Sequence, residues 1–150
     1  MGAVIHAALA GALGALAFAV LIRVPRGELA LSALAGLVAA SVFTLAGLLG
    51  EGEVSQVFFA AVATSALSEA FARWRRVPAT VFVMPGLIPL VPGLLAYHTM
   101  YDLVRGQFAM GAATGVETLF WAAAIGVGSA LVLTLVRMVA PPQSGRSKGG

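Results

Sequence analysis

The sequence has no cysteine, two histidines and only 10% charged residues, against about 25% in a typical soluble domain. Without cysteine there is no disulfide, no thiolate nucleophile and no cysteine-ligated metal, and two isolated histidines do not make an all-protein zinc site. Scarce charge, joined to 60% hydrophobic residues and a mean hydropathy of +0.98, excludes a soluble enzyme, a disordered chain and a nucleic-acid-binding domain, despite a formal net charge of +3. The chain is built for lipid. No cofactor, metal or catalytic residue is expected.

A helix crossing a hydrocarbon core about 30 Å thick needs about 20 predominantly apolar residues. Five segments qualify, at about 3–22, 29–50, 54–72, 77–104 and 108–136. They form one membrane domain over residues 1–140, and the small polar tail at 141–150 is expected to be disordered and cytoplasmic. The fold class is all-α, a polytopic membrane protein whose fourth segment is a helix broken by proline and glycine. The apolar start has no basic residues before it, so it reads as a span and not as a secretory signal. Short loops rich in lysine and arginine stay on the cytoplasmic side. Arg23, Arg26, Arg73, Arg75, Arg76, Arg137, Arg146 and Lys148 share one side of a five-span chain, and only Arg105 falls on the other. The N-terminus is therefore expected outside and the C-terminus in the cytoplasm. Trp74 marks the inner interface on this scheme, and Tyr97 and Tyr101 the outer one.

Gly11, Gly14, Ala35, Gly36, Ala39 and Ala40 give the first two segments small faces on which helix backbones can approach closely. The fourth segment carries Pro78, Pro85, Pro89 and Pro92 within fifteen residues. An interior proline removes an N–H and crowds the preceding turn. In lipid the freed carbonyls must be covered by protein or a wet cavity. Pro78 suits the first turn of a half-helix ending near Pro85 and Gly86, and Pro92 the start of a second, leaving Pro85 to Gly93 as an unwound hinge. Broken helices near the bilayer midplane build substrate sites in secondary transporters: half-helix N-termini attract anions, and unwound carbonyls accept cations. That pairing suits a zwitterion or a carboxylate.

The stretch Arg76-Val77-Pro78-Ala79, then Pro85-Gly86-Leu87-Ile88-Pro89-Leu90-Val91-Pro92-Gly93 and Leu95-Ala96-Tyr97, closely resembles the membrane motif of the threonine/serine exporter family, in its small-subunit or C-terminal half. Beyond this stretch the resemblance extends to length, number of spans and loop spacing. It implies one half of a secondary exporter in a bacterial cytoplasmic (inner) membrane, working with a larger membrane subunit. The implied substrates are threonine and serine or a dicarboxylate such as succinate. The residues it carries over as pathway or hinge are Pro85, Gly86, Pro89, Pro92, Gly93 and Tyr97.

Ionisable residues within spans are functional candidates, because burying them unpaired is costly. Glu69 lies four residues before Arg73, a helical spacing that suits an ion pair, and it is also a candidate for binding a proton or a substrate ammonium. Arg76, just before the broken helix, is either an interfacial anchor or the partner of a substrate carboxylate. Glu117 is either a residue of the outer rim or a carboxylate of the pathway. His6 and His98 fall near the outer interface. Ser129 and His98 invite comparison with a serine-protease dyad, but Ser129 lacks the glycine pattern of a nucleophile elbow. An enzyme is therefore set aside. An assembly subunit with no substrate path, its broken helix merely docking on the larger half, is the alternative to the exporter.

Overall fold

The computed structural model describes residues 2–139, so the expected tail at 141–150 lies outside the described residues. Runs rich in alanine and leucine become helices here because lipid offers backbone N–H and C=O groups no partner but each other. They are α1 (Gly2–Leu21), α2 (Leu29–Leu48, entered by a 3-10 turn at Arg26–Glu28), α3 (Glu53–Arg75), α4 (Thr80–Leu87, extended by a 3-10 turn at Ile88–Leu90), α5 (Gly93–Val104) and α6 (Phe108–Val139). Among the described residues there is no strand. Helices α1, α2, α3 and α6 are long and apolar enough to cross a membrane, and α4 with α5 forms a pair bent by 50° that is long and apolar enough when taken together, which gives four to five candidate spans. The protein is an all-α, multi-pass membrane protein.

Four helices close with the same device. A residue in the left-handed region ends the helix, and the next N–H reaches back to the carbonyl five residues earlier: Val24 to Ala19, Glu51 to Ala46, Val77 to Ala72 and Gln107 to Asp102, at 2.9 to 3.2 Å. Where α2 and α5 end, the left-handed residue is Gly50 or Gly106, which adopts it freely. Where α1 and α3 end, it is Arg23 (φ 59) or Arg76 (φ 57), and a side chain in that conformation costs about 1 to 2 kcal/mol. The strained residues thus sit at the arginine-rich end of the bundle.

Packing relies on small residues. A Cβ on Gly11 would lie 2.5 Å from the Ala40 Cβ and 2.6 Å from the Gly36 carbonyl oxygen, so α1 and α2 touch backbone to backbone. The small faces read from the sequence are used within the chain. Gly128 of α6 also packs closely on α3, though less tightly, where a Cβ would lie 3.1 Å from the Phe58 carbonyl oxygen. The core between these pairs is Ala39, Ala60, Ala61 and Leu90, flanked by Phe43, Leu87 and Ile125.

Helix α4 is wedged among α1, α2 and α3. Phe82 is fully buried with its ring edge-on to Phe71, and Gly86 rests on Ala35 of α2 and Thr64 of α3. Eight α-helical residues and the three of the 3-10 turn rise only about 18 Å together, so the break falls inside the bundle. The break is shorter than the expected unwound stretch from Pro85 to Gly93: helix continues through Pro85 to Leu87, and only Val91 and Pro92 leave helical structure. Each proline is accommodated locally. The N–H missing at Pro85 deprives the Val81 carbonyl of its helical donor, and the Ser32 hydroxyl from α2 approaches that oxygen at 3.4 Å. Pro89 sits at the start of the 3-10 turn, where no N–H is required, and Pro92 directly precedes α5. The Leu90 carbonyl, at the end of the turn, accepts a 2.7 Å hydrogen bond from the Trp121 indole of α6.

A candidate substrate cleft at the arginine-rich end

Two adjoining cavities open where α3 ends and α4 begins. The outermost, about 610 Å³, is walled by Glu69, Arg73, Arg76, Val77 and Ala79. A deeper one of about 440 Å³ lies between α3, α4 and α6 and is lined by Ser65, Glu69, Thr80, Val83, Ser129 and Arg137 among others. Glu69 and Ala79 belong to both walls, so Glu69 stands at the passage from one to the other.

The local sequence explains this arrangement. Residues 64, 65, 68 and 69 fall on one side of α3 at helical spacing, making a polar stripe in the least apolar of the four long spans. Ser65 donates to the Ser129 hydroxyl at 3.1 Å, joining α3 to α6 at the floor of the deeper cavity. Arg73 donates to the Val136 carbonyl near the end of α6 at 3.0 Å. Its guanidinium is drawn to the carbonyl-bearing C-terminal end of α6, and among the described residues the expected ion pair with Glu69 does not form. Glu69 is left facing the cavities.

A different ion pair holds the rim. Glu28, buried at the entry to α2, accepts from Arg75 through both carboxylate oxygens at 2.9 and 3.0 Å. This fork ties the α1–α2 connection to the end of α3 beside the cleft. Glu28 falls just before the apolar run of the second segment and so reads from sequence as an ordinary loop residue.

The other sequence-selected residues scatter. Pro85 and Gly86 are buried in packing. Pro89 borders a separate cavity of about 410 Å³ walled by Gly11, Gly14, Phe43 and Thr44 of α1 and α2. Gly93 and Tyr97 are exposed, and Tyr97 stacks on Tyr101, whose ring also carries the Arg105 guanidinium at 4.4 Å. Glu117 is half-buried on α6, next in sequence to Thr118, whose hydroxyl lies 3.5 Å from that of Thr99 on α5. His98 is on α5 beside Tyr97, whereas Ser129 bonds Ser65 across the α3–α6 interface, so the two do not form a dyad. Thus Glu69 and Arg76 share a cleft, and the proline-glycine hinge lies outside it. Nothing local in the sequence marks Ser129 or Arg137 as a pathway residue, whereas the stripe of hydroxyls on α3 is a signal that points to Ser65.

Chemically, the cleft offers one carboxylate, guanidiniums in both cavities and two serine hydroxyls, with mostly polar walls in the outer cavity and mostly apolar ones in the deeper. Such a set has the chemistry to pair a carboxylate with an ammonium group and a guanidinium with a carboxylate group through paired N–H donors. Comparison with known proteins gives a family model described as threonine/serine exporter, ThrE, matching residues 7–135. No curated protein and no solved structure matches.

Proposed function

Because the chain belongs to the threonine/serine exporter family, we propose that it is the small subunit of a two-component secondary exporter whose cytoplasmic cleft loads serine or threonine. Membership and the four to five apolar candidate spans support a multi-pass membrane transporter rather than an enzyme. The observation that carries the finer reading is Glu69 at the junction of two cavities, with Arg76 in the outer wall and Arg137 in the inner one. Opposite charges a few side chains apart recognise both ends of an amino acid.

In this reading the arginine-rich end faces the cytoplasm of a bacterial inner membrane, with the N-terminus outside. Glu69 holds the ammonium, Arg76 draws in the carboxylate from the mouth, and Arg137 takes it over in the deeper cavity. A proton arriving at Glu69 competes with the ammonium, which gives a simple route to exchange of protons for substrate. Thr80 and Val83 of α4 form one wall, and the break at Val91 and Pro92 lets that wall move while α5 stays on α6. A larger membrane subunit completes the path on the faces of α5 and α6 that this chain leaves uncovered.

The excess of guanidinium over carboxylate in the cleft favours a second reading, a dicarboxylate such as succinate. Efflux of labelled serine, threonine and succinate from preloaded cells separates them, with this chain alone, the larger subunit alone and both together. For an amino acid exporter, both subunits are required and Glu69→Gln lowers serine efflux by about tenfold or more, the worth of roughly 1.4 kcal/mol of lost charge pairing. For a dicarboxylate exporter, Glu69→Gln leaves succinate efflux intact or raises it. Full serine and succinate efflux from a complex carrying both Glu69→Gln and Arg137→Gln is the result expected of an assembly subunit instead.

A further inference from the structure

Many hydroxyls on these membrane helices are paired in the same local way. Ser41, Thr44, Thr99, Thr114, Thr118 and Thr134 each donate to the carbonyl one turn earlier, at 2.7 to 3.0 Å. That back-bond is the local means by which a hydroxyl is tolerated where water is absent. Thr64 and Ser68 of α3 are fully buried, and neither hydroxyl has a hydrogen-bond partner. A buried, unpaired hydroxyl is destabilising, and valine or alanine would fill the same space without that penalty.

Their position suggests what the hydroxyls are for. Residues 64 and 68 are one turn apart on α3, and Ser65 and Glu69, next round the helix, line the deeper cavity. The cover over Thr64 is α4: a Cβ on Gly86 would lie 2.9 Å from the Thr64 Cγ2. Ala79, Thr80 and Val83 of the same short helix form the neighbouring wall of the cavity. When α4 lifts from this seat, the space beneath it joins the cavity under Glu69.

We propose that Thr64 and Ser68 bind the side-chain hydroxyl of the exported amino acid, in a state where α4 has moved off α3. This rests on the exporter reading of the same cavity and adds the residues that choose the substrate. A substrate hydroxyl satisfies both orphaned groups at once, whereas alanine leaves them unpaired, which is the condition under which a site discriminates strongly.

The test uses the full chain with its larger subunit, carrying Thr64→Val and Ser68→Ala singly and together. Complex yield should equal that of the unsubstituted pair, since no bond present in this structure is lost. Serine efflux should fall about tenfold while alanine efflux holds or rises, and Thr64→Ser should keep the preference. An unchanged ratio of serine to alanine efflux in the double variant overturns the assignment. Absence of any amino acid efflux from the unsubstituted pair is a failure of the exporter reading, and accessibility then decides the inference. The chain has no cysteine of its own, so Thr64→Cys can be probed with a membrane-impermeant maleimide, with Thr80→Cys as the accessible control. Reaction at both positions supports an α4 that uncovers Thr64, and reaction at 80 alone refutes it.

Discussion

The two halves of the bent pair differ in composition and in burial: α4 carries Thr80 as its one polar side chain, whereas α5 holds Tyr97, His98, Thr99, Tyr101 and Asp102. Helix α4 buries Phe82, Pro85 and Gly86 among α1, α2 and α3, whereas α5 buries no residue and leans mainly on α6. Leu94, Met100 and Val104 of α5 are 63 to 86% exposed. Both halves are nonetheless regular helix, because lipid demands backbone pairing whether or not the side chains find protein. Burial therefore distinguishes a seated element from a resting one where secondary structure does not. The seated half is the one that walls the cleft.

The strongest way to break this contrast is at the seat itself. Gly86→Leu places a side chain where even a Cβ would lie 2.8 Å from the Ala35 Cβ and 2.9 Å from the Thr64 Cγ2. Both atoms belong to short side chains on packed helices, so neither can swing away. We expect a loss of about 3 kcal/mol or more, at the upper end of overpacking effects, seen as a sharply lowered unfolding midpoint in detergent or as failure to accumulate in the membrane. A midpoint close to that of the unsubstituted chain would mean that α4 is not held in this seat.

Second in size is the link from the break to α6. Trp121→Phe keeps a ring beside Phe43, 5.7 Å away, and removes the donor to the Leu90 carbonyl. Leu90 is buried and its carbonyl belongs to the broken turn, so the loss should be about 1 to 3 kcal/mol, read as a smaller fall in the same midpoint. If the midpoint does not move, water or the helix itself already satisfies that oxygen and the break is held by packing alone.

Much of this architecture is legible in the sequence, for reasons that also mark where legibility stops. Twenty-residue apolar runs and four clustered prolines act through the chain's own geometry, so helix class and the place of the break follow from local rules. The close approach of α1 and α2 at Gly11 and Gly36 is legible as well, because small residues are what such contact requires. The length of the break is not, since it depends on Ser32 and Trp121, 49 and 31 residues from the carbonyls they serve. The ion pair at the rim joins Glu28 to Arg75 across 47 residues, whereas local spacing points to Glu69 and Arg73. In the cleft, Glu69 and Arg76 stand out as charges near a span end, but Ser65 and Ser129 gain meaning only when α3 and α6 bring them to 3.1 Å.

The smallest expected effect sharpens the comparison most, because it lies in the same motif as the largest. Gly86 and Gly93 flank the prolines almost symmetrically, and sequence alone gives them the same standing as hinge glycines. A Cβ on Gly93 meets nothing within 4 Å, and its backbone does not lie in the left-handed region. Gly93→Leu should therefore change stability by no more than about 0.5 kcal/mol, the usual range for an exposed site. It also leaves the two-residue break at Val91 and Pro92 free to bend, so efflux should stay close to that of the unsubstituted complex. The measurement is the unfolding midpoint and serine efflux of Gly93→Leu beside those of Gly86→Leu. Loss of efflux with an unchanged midpoint would show that the break itself needs the freedom of glycine at 93, and would move the hinge from Val91 and Pro92 onto the first turn of α5.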